Sequence, residues 1–246
     1  MESFILAAGL GTRLRPLTDH RPKALVEIEG KPLLQIAIER MVQLGVSRIV
    51  VNIHHYGEQI IGFINSRKWE CEIVISDERK LLLDTGGGLQ QAATLFTGEE
   101  PIIVHNVDIV SRIDLEEMVQ RHLQGDNLAT LAVSQRETSR YLLWDAEGQL
   151  VGWNNRSCNE YRWVSEPVSE YIPLAFSGIS IINPKLLSLL PPASKPYPII
   201  PEYLNMAQRY RIGKYQHCPS DWLDVGKPDT LSRATTLLKA CQTDSM

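Results

Sequence analysis

The chain has 246 residues, 43% of them hydrophobic, and a net charge of -4 at neutral pH, which suits one large domain with a substantial core and speaks against a nucleic-acid surface. Its four cysteines, Cys71, Cys158, Cys218 and Cys241, are scattered without a metal or disulfide spacing, so they read as reduced thiols of a cytoplasmic protein. No leader pattern opens the chain and no apolar run nears the roughly 20 residues of a membrane span, so no membrane partner is expected.

In chain order, Phe4-Ile5-Leu6-Ala7-Ala8 is an apolar strand that stops abruptly at Gly9-Leu10-Gly11-Thr12-Arg13. Val26-Glu27-Ile28-Glu29-Gly30 reads as a short extended piece and a turn. Pro32 opens a helix to about residue 44, with Leu34, Ile38, Met41 and Val42 on one stripe and Gly45 as its stop. Arg48-Ile49-Val50-Val51-Asn52-Ile53 is a strand buried on both faces. A helix over residues 57–66, a strand over 72–76 and a helix opening at Thr85-Gly86-Gly87-Gly88 follow. Residues 101–105 form a strand running into Asn106-Val107-Asp108, Asp114 caps a helix to about residue 123, and residues 128–133 form the next strand.

Strands alternating with helices predict a mostly parallel sheet covered on both faces, a Rossmann-like three-layer α/β/α fold. Ligands of such sheets sit at the carboxyl ends of the strands, so residues 9–13 and 106–108 should share one rim. The second half changes character. Residues 141–144 and 150–153 flank a hairpin turn, residues 154–169 resist assignment, and residues 175–182 are a strand. Short helices at 185–190 and 199–208, extended pieces at 212–217 and 222–226, and a helix from Pro228 to about residue 240 complete the chain. These read as strands added to the first sheet. One domain over 1–246 is expected, with a first half (about 1–135) and a second half (about 136–246) that is not independent of it.

The loop after the first strand is an anion cradle. Gly9 and Gly11 let a ligand approach the main chain, backbone N–H groups line the turn, and Arg13 and Lys23 supply a fork and a point charge. A dinucleotide site needs a third glycine where Leu14 stands, and no Gly-Lys-Ser/Thr follows as in a Walker loop. A nicotinamide-dependent oxidoreductase is thereby disfavoured.

The string Leu6-Ala7-Ala8-Gly9-Leu10-Gly11-Thr12-Arg13-Leu14-Arg15-Pro16-Leu17-Thr18, with Pro22-Lys23 and Gly30-Lys31-Pro32-Leu33, closely resembles the signature of the sugar-1-phosphate nucleotidyltransferases. The likeness continues through Leu83-x-Thr85-Gly86-Gly87, Asn106-x-Asp108, Phe176-x-Gly178 and Trp222-x-Asp224-Val225-Gly226. The short C-terminus looks most like the small members, the N-acetylmuramate-1-phosphate uridylyltransferases and the mannose- or heptose-1-phosphate guanylyltransferases. The resemblance implies a nucleotide-diphospho-sugar transferase fold and transfer of a nucleoside monophosphate from an NTP to a sugar 1-phosphate, with pyrophosphate released. It implies Mg2+ on Asp108 and Asp224, Arg13 and Lys23 as catalytic cations on the phosphates, and a nucleotide held by Leu6, Ala8, Gly9, Gly11, Thr12, Arg13, Thr85, Gly86 and Gly87. It places Asn106, Gly178 and Glu202 at the sugar.

From the residues alone, Asp108 also reads as a cap or turn residue and Asp224 as a loop carboxylate. Two departures stand out. Val107 occupies a position that is usually glycine in the family the chain resembles, so the turn is expected to differ or the site to be impaired, as in a regulatory NDP-sugar-binding relative. The lysine that relatives carry after the hairpin is missing from Trp153-Asn154-Asn155-Arg156, leaving Arg156 or Lys227 as substitutes. The glycine run after Thr85 favours UTP and N-acetylmuramate 1-phosphate, with guanylyl transfer as the alternative. The expected partners are an NTP and a sugar 1-phosphate, and the expected state is a monomer or small homo-oligomer.

Overall fold

The computed structural model describes residues 1–227 and 229–243, with side chains through residue 238. Pro228, the expected opening of the last helix, and the side chain of Cys241 lie outside the described residues.

The chain runs β1 (Glu2–Leu6), a small hairpin of β2 (Glu27–Ile28) and β3 (Lys31–Pro32), α1 (Leu33–Gln43), β4 (Arg48–Ile53), α2 (Gly57–Asn65), β5 (Glu72–Asp77) and α3 (Asp84–Ala92). It continues through β6 (Ile102–Asn106), β7 (Ile109–Ser111), α4 (Leu115–Gln124), β8 (Asn127–Ser134), β9 (Arg140–Trp144), β10 (Leu150–Asn155) and β11 (Glu160–Trp163). Last come β12 (Ile172–Ile182), α5 (Lys185–Leu189), α6 (Ile199–Ala207), β13 (Arg211–Gln216), β14 (Trp222–Asp224) and α7 (Thr230–Thr243).

Strands β5, β4, β1 and β6 lie side by side and parallel. β12 joins β6 antiparallel, β8 pairs with β12, and β13 pairs parallel with β8. β9, β10 and β11 extend the same sheet from the first residues of β12. The strands expected over 141–144, 150–153, 175–182 and 212–217 thus belong to the sheet begun by the first, whereas the extended piece expected at 222–226 does not: β14 pairs antiparallel with β7 in a separate two-stranded sheet.

The period of two along each strand sorts side chains into two cores. Ile5, Ile49, Val51, Ile53 and Ile103 face α1, α2 and α4 through Leu34, Ile38, Ile60 and Met118. Phe4, Val50, Ile102 and Val104 face α3, α5 and α6 through Leu89, Leu186, Tyr203 and Leu204. These are the three layers that the sequence pattern predicts. Two elements lacked a signal: β7 is three residues long, and β11 alternates charged and aromatic residues of which none is buried. Cys71, Cys158 and Cys218 are free thiols, and among the described residues no helix is long and apolar enough to cross a membrane.

Two buried histidines make stability pH-dependent. Burial depresses His105 to about 3, with Arg40 adding to the effect, and burial depresses His122 to about 4. A depressed histidine favours the native state above its unfolded value near 6.5, and that stability is lost as pH falls towards the folded value. Between pH 7 and pH 5 each costs about 2 kcal/mol, so denaturant unfolding at the two pH values is expected to differ by about 4 kcal/mol from this pair. His122→Gln should remove about half of that dependence; an unchanged pH slope would refute the assignment.

Candidate active site

β1 and β6 are neighbours in register, with Leu6 beside Asn106. Their carboxyl ends therefore release two loops side by side. The first turns at Gly11, whose φ of 64° suits glycine and whose Cβ would press on Lys23 and Thr18 at 3.0 Å. Thr18 Oγ1 donates to Gly11 O at 2.8 Å and pins that turn. The second loop holds Val107 buried, its N–H bonded to Leu6 O at 3.1 Å. Val107 takes no positive φ, so the feared conflict at this turn does not arise: the residue is a core side chain beneath the loop.

A cavity of about 580 Å3 opens over these loops. Leu6, Ala8, Gly9, Gly11, Thr12, Arg13, Lys23, Thr85, Asn106 and Asp108 all line it. Gly9 has open space where a Cβ would stand. Gly86 and Gly87 do not line it. They stand behind the wall in α3, and both N–H groups bond Tyr197 O, at 3.0 and 3.2 Å. A Cβ on Gly86 would meet the Tyr197 ring at 2.5 Å, so the glycine run lets the segment before α6 pack on α3. Gly178, at φ 73°, packs against the Asn106 amide, where a Cβ would come within 2.9 Å. Glu202 lies in the first turn of α6, away from the cavity lining.

Asp224 reaches the loops through the two-stranded pairing of β14 with β7, which sets Asp224 opposite Ile109, the residue after Asp108. Val225 N–H then donates to Asp108 O at 2.8 Å. Each carboxylate faces a cation: Lys23 Nζ pairs with Asp108, and Arg13 Nη2 lies 3.7 Å from Asp224. Burial, and next the Asp108 charge, push the Asp224 carboxyl above its ordinary range, while Lys23 and Arg13 pull it back. Gly226 completes the corner. A Cβ there would lie 2.7 Å from Asp224 Oδ1 and 2.8 Å from Arg13 Nη2.

Sequence reasoning missed the brace beneath the first loop. Asn52, polar at the end of an apolar strand, accepts from Ala7 N–H at 2.6 Å and Ala8 N–H at 3.1 Å. Its amide donates to Glu78 at 2.7 Å, and Glu78 also accepts from Leu83 N–H at 3.0 Å. Burial holds the Glu78 carboxyl above its usual range. The one available signal was an asparagine inside a β-branched run.

Two adjacent carboxylates form a hard-oxygen donor set. Asp224 Oδ1 is buried with no hydrogen-bond partner among the described residues, an oxygen left for a cation. No group of three or more His, Cys, Asp or Glu side chains is arranged for a metal among the described residues. A pair of carboxylates suits Mg2+, which keeps water and takes substrate phosphates for its remaining positions.

The model of the nucleotidyl transferase family matches residues 2–240. The chain belongs to that family. Over 111 residues it is 45% identical to an N-acetylmuramate alpha-1-phosphate uridylyltransferase of Caulobacter vibrioides, covering 44% of this chain and 46% of that protein. It is 29% identical to the mannose-1-phosphate guanylyltransferase catalytic subunit beta of Drosophila melanogaster over 92% of this chain and 59% of that one. The chain thus spans about half to three fifths of the length of these curated relatives. In structure it is similar to HddC from Yersinia pseudotuberculosis, solved with GMP-PN, at a TM-score of 0.73 and 20% identity over 96% of this chain and 99% of that one. The fold is that of the nucleotide-diphospho-sugar transferases.

Proposed function

We propose that this nucleotidyl transferase joins an NTP to a sugar 1-phosphate. An oxygen of the sugar phosphate attacks the α-phosphorus, the bond to the β-phosphate breaks, and pyrophosphate leaves with its electron pair. The observation that carries this reading is the corner where Arg13 and Asp224 meet Lys23 and Asp108 at the end of a glycine-floored cleft. The nucleophile is already anionic, so the catalytic burden is positioning and charge stabilisation. Arg13 and Lys23 hold the triphosphate, and the cavity-lining loop residues and Thr85 hold the nucleoside. Asp108 and Asp224 would hold Mg2+, which supplies positive charge to the phosphates when bound.

The 45% identity with the uridylyltransferase, over the stretch it covers, favours UTP with N-acetylmuramate 1-phosphate. Guanylyl transfer to mannose or heptose phosphate is the alternative, supported by the longer match to the guanylyltransferase. The reading carries a cytoplasmic location and a role in supplying cell-envelope precursors. It treats residues 1–135 and 136–246 as the nucleotide and sugar sides of one domain.

Pyrophosphate release with Mg2+, an NTP panel and N-acetylmuramate, mannose and heptose 1-phosphates tests it. UTP with the muramate phosphate is expected to exceed every other pair at least about tenfold, a difference of 1.4 kcal/mol in transition-state binding. A preference for GTP would select the alternative, and silence with every pair would overturn the catalytic reading.

A further inference from the structure

The proposed reaction brings a second phosphate to the carboxylate corner, and Arg13 and Lys23 are already paired there. Arg136, just beyond β8, is a cation that the second half brings near this corner, and Lys227, exposed and one residue after Gly226, is another. Its guanidinium lies over the Trp222 ring, 4.0 Å from the centroid. Nη2 donates to Phe176 O at 2.7 Å. Phe176 is two residues before Gly178, which packs on the cavity-lining Asn106.

Side chains two apart on a strand share a face, so Trp222 and Asp224 present theirs to the same side of β14. An arginine stacked on Trp222 therefore stands beside Asp224, offset by about 7 Å along the strand. The Asp224 charge reaches Arg136 and counters the lowering that burial imposes on it. Among the described residues the guanidinium nonetheless forms no ion pair, and its Nε is buried with no hydrogen-bond partner. Most of a five-donor fork is thus unspent. An offset of about 7 Å matches the span of one phosphate between the guanidinium and Asp224, the carboxylate that would hold the cation. Arg156 differs: it is exposed and its guanidinium lies over the Tyr141 ring at 4.2 Å.

We infer that Arg136 binds the 1-phosphate of the sugar substrate, clamped for that purpose by Trp222 and the Phe176 carbonyl. The inference rests on the sugar-phosphate reading above.

The test compares wild type with Arg136→Met, which keeps length over Trp222 without charge, and Arg136→Lys, which keeps charge without the fork. With the preferred NTP and sugar 1-phosphate, Arg136→Met is expected to raise the KM for the sugar phosphate about 10–100-fold, the loss of one charged hydrogen-bonding contact. The KM for the NTP should stay within about twofold, because that substrate is held by Arg13 and Lys23. Arg136→Lys should recover part of the loss. A parallel rise in both KM values, or no change in either, would overturn the inference in favour of a packing role. If wild type turns over no pair, calorimetric titration with N-acetylmuramate 1-phosphate and mannose 1-phosphate separates the two claims. Binding that Arg136→Met abolishes supports the arginine while the catalytic reading fails. Equal binding by wild type and variant, or no binding by either, overturns the inference.

Discussion

Asp224→Asn is expected to lower turnover by about 10²–10³-fold or more while the protein stays as stable as the wild type. The two halves of that expectation have one cause. Asp224 sits beside a second carboxylate and is partly desolvated, so its charged form is disfavoured in the folded protein. The sign follows: a carboxyl raised above its unfolded value costs stability as pH rises through that interval, and an amide relieves the cost. What the amide cannot supply is negative charge for a cation on the phosphates. Asp108→Asn should lose turnover to a similar degree but also lose roughly 3 kcal/mol of stability, because it strands the buried Lys23 ammonium. Pyrophosphate-release kinetics with thermal unfolding checks both. Near-normal turnover in Asp224→Asn would remove this residue from the cation site.

The second large effect is expected at Asn52, which touches no reacting atom by this reading. Asn52→Leu keeps the branched shape and deletes three buried partnerships, those with Ala7 N–H, Ala8 N–H and Glu78. At about 1–3 kcal/mol for each group left unmatched, the loss is roughly 3–9 kcal/mol. Asn52→Asp is the sharper test. It retains the acceptor for both loop N–H groups but sets a carboxylate against Glu78, whose proton affinity burial already raises. The native state must then hold a proton that the unfolded chain releases, so stability should fall as pH rises from 5 to 8. Urea unfolding across that range measures it, and a flat profile would show that the Asn52–Glu78 contact carries no weight. Because Asn52 braces the loop that floors the cavity, the KM for the NTP should rise in either variant.

The β-branched strands and the glycine stop after β1 were legible because burial on both faces demands continuous apolar runs. The juxtaposition of residues 9–13 with 106–108 was legible too, since parallel neighbours in register must release their loops on one rim. Gly86 and Gly87 show the limit. Their glycines suggested ligand contact, yet their N–H groups are spent on Tyr197 O, a partner about 110 residues away.

By itself, then, the sequence determined the alternation of strands and helices, the anion-cradling loop and the exclusion of a dinucleotide site by Leu14. Periodicity and glycine placement are local properties, and the chain carries them wherever it goes. Only the tertiary structure decided which residues meet. It set Asp224 against Asp108 through the pairing of β14 with a three-residue strand too short to signal itself. It put Asn52 beneath the loop, packed Val107 as core without a strained turn, and laid Arg136 on Trp222. Each of these contacts joins residues more than forty positions apart, where pattern along the chain carries no information about distance in space.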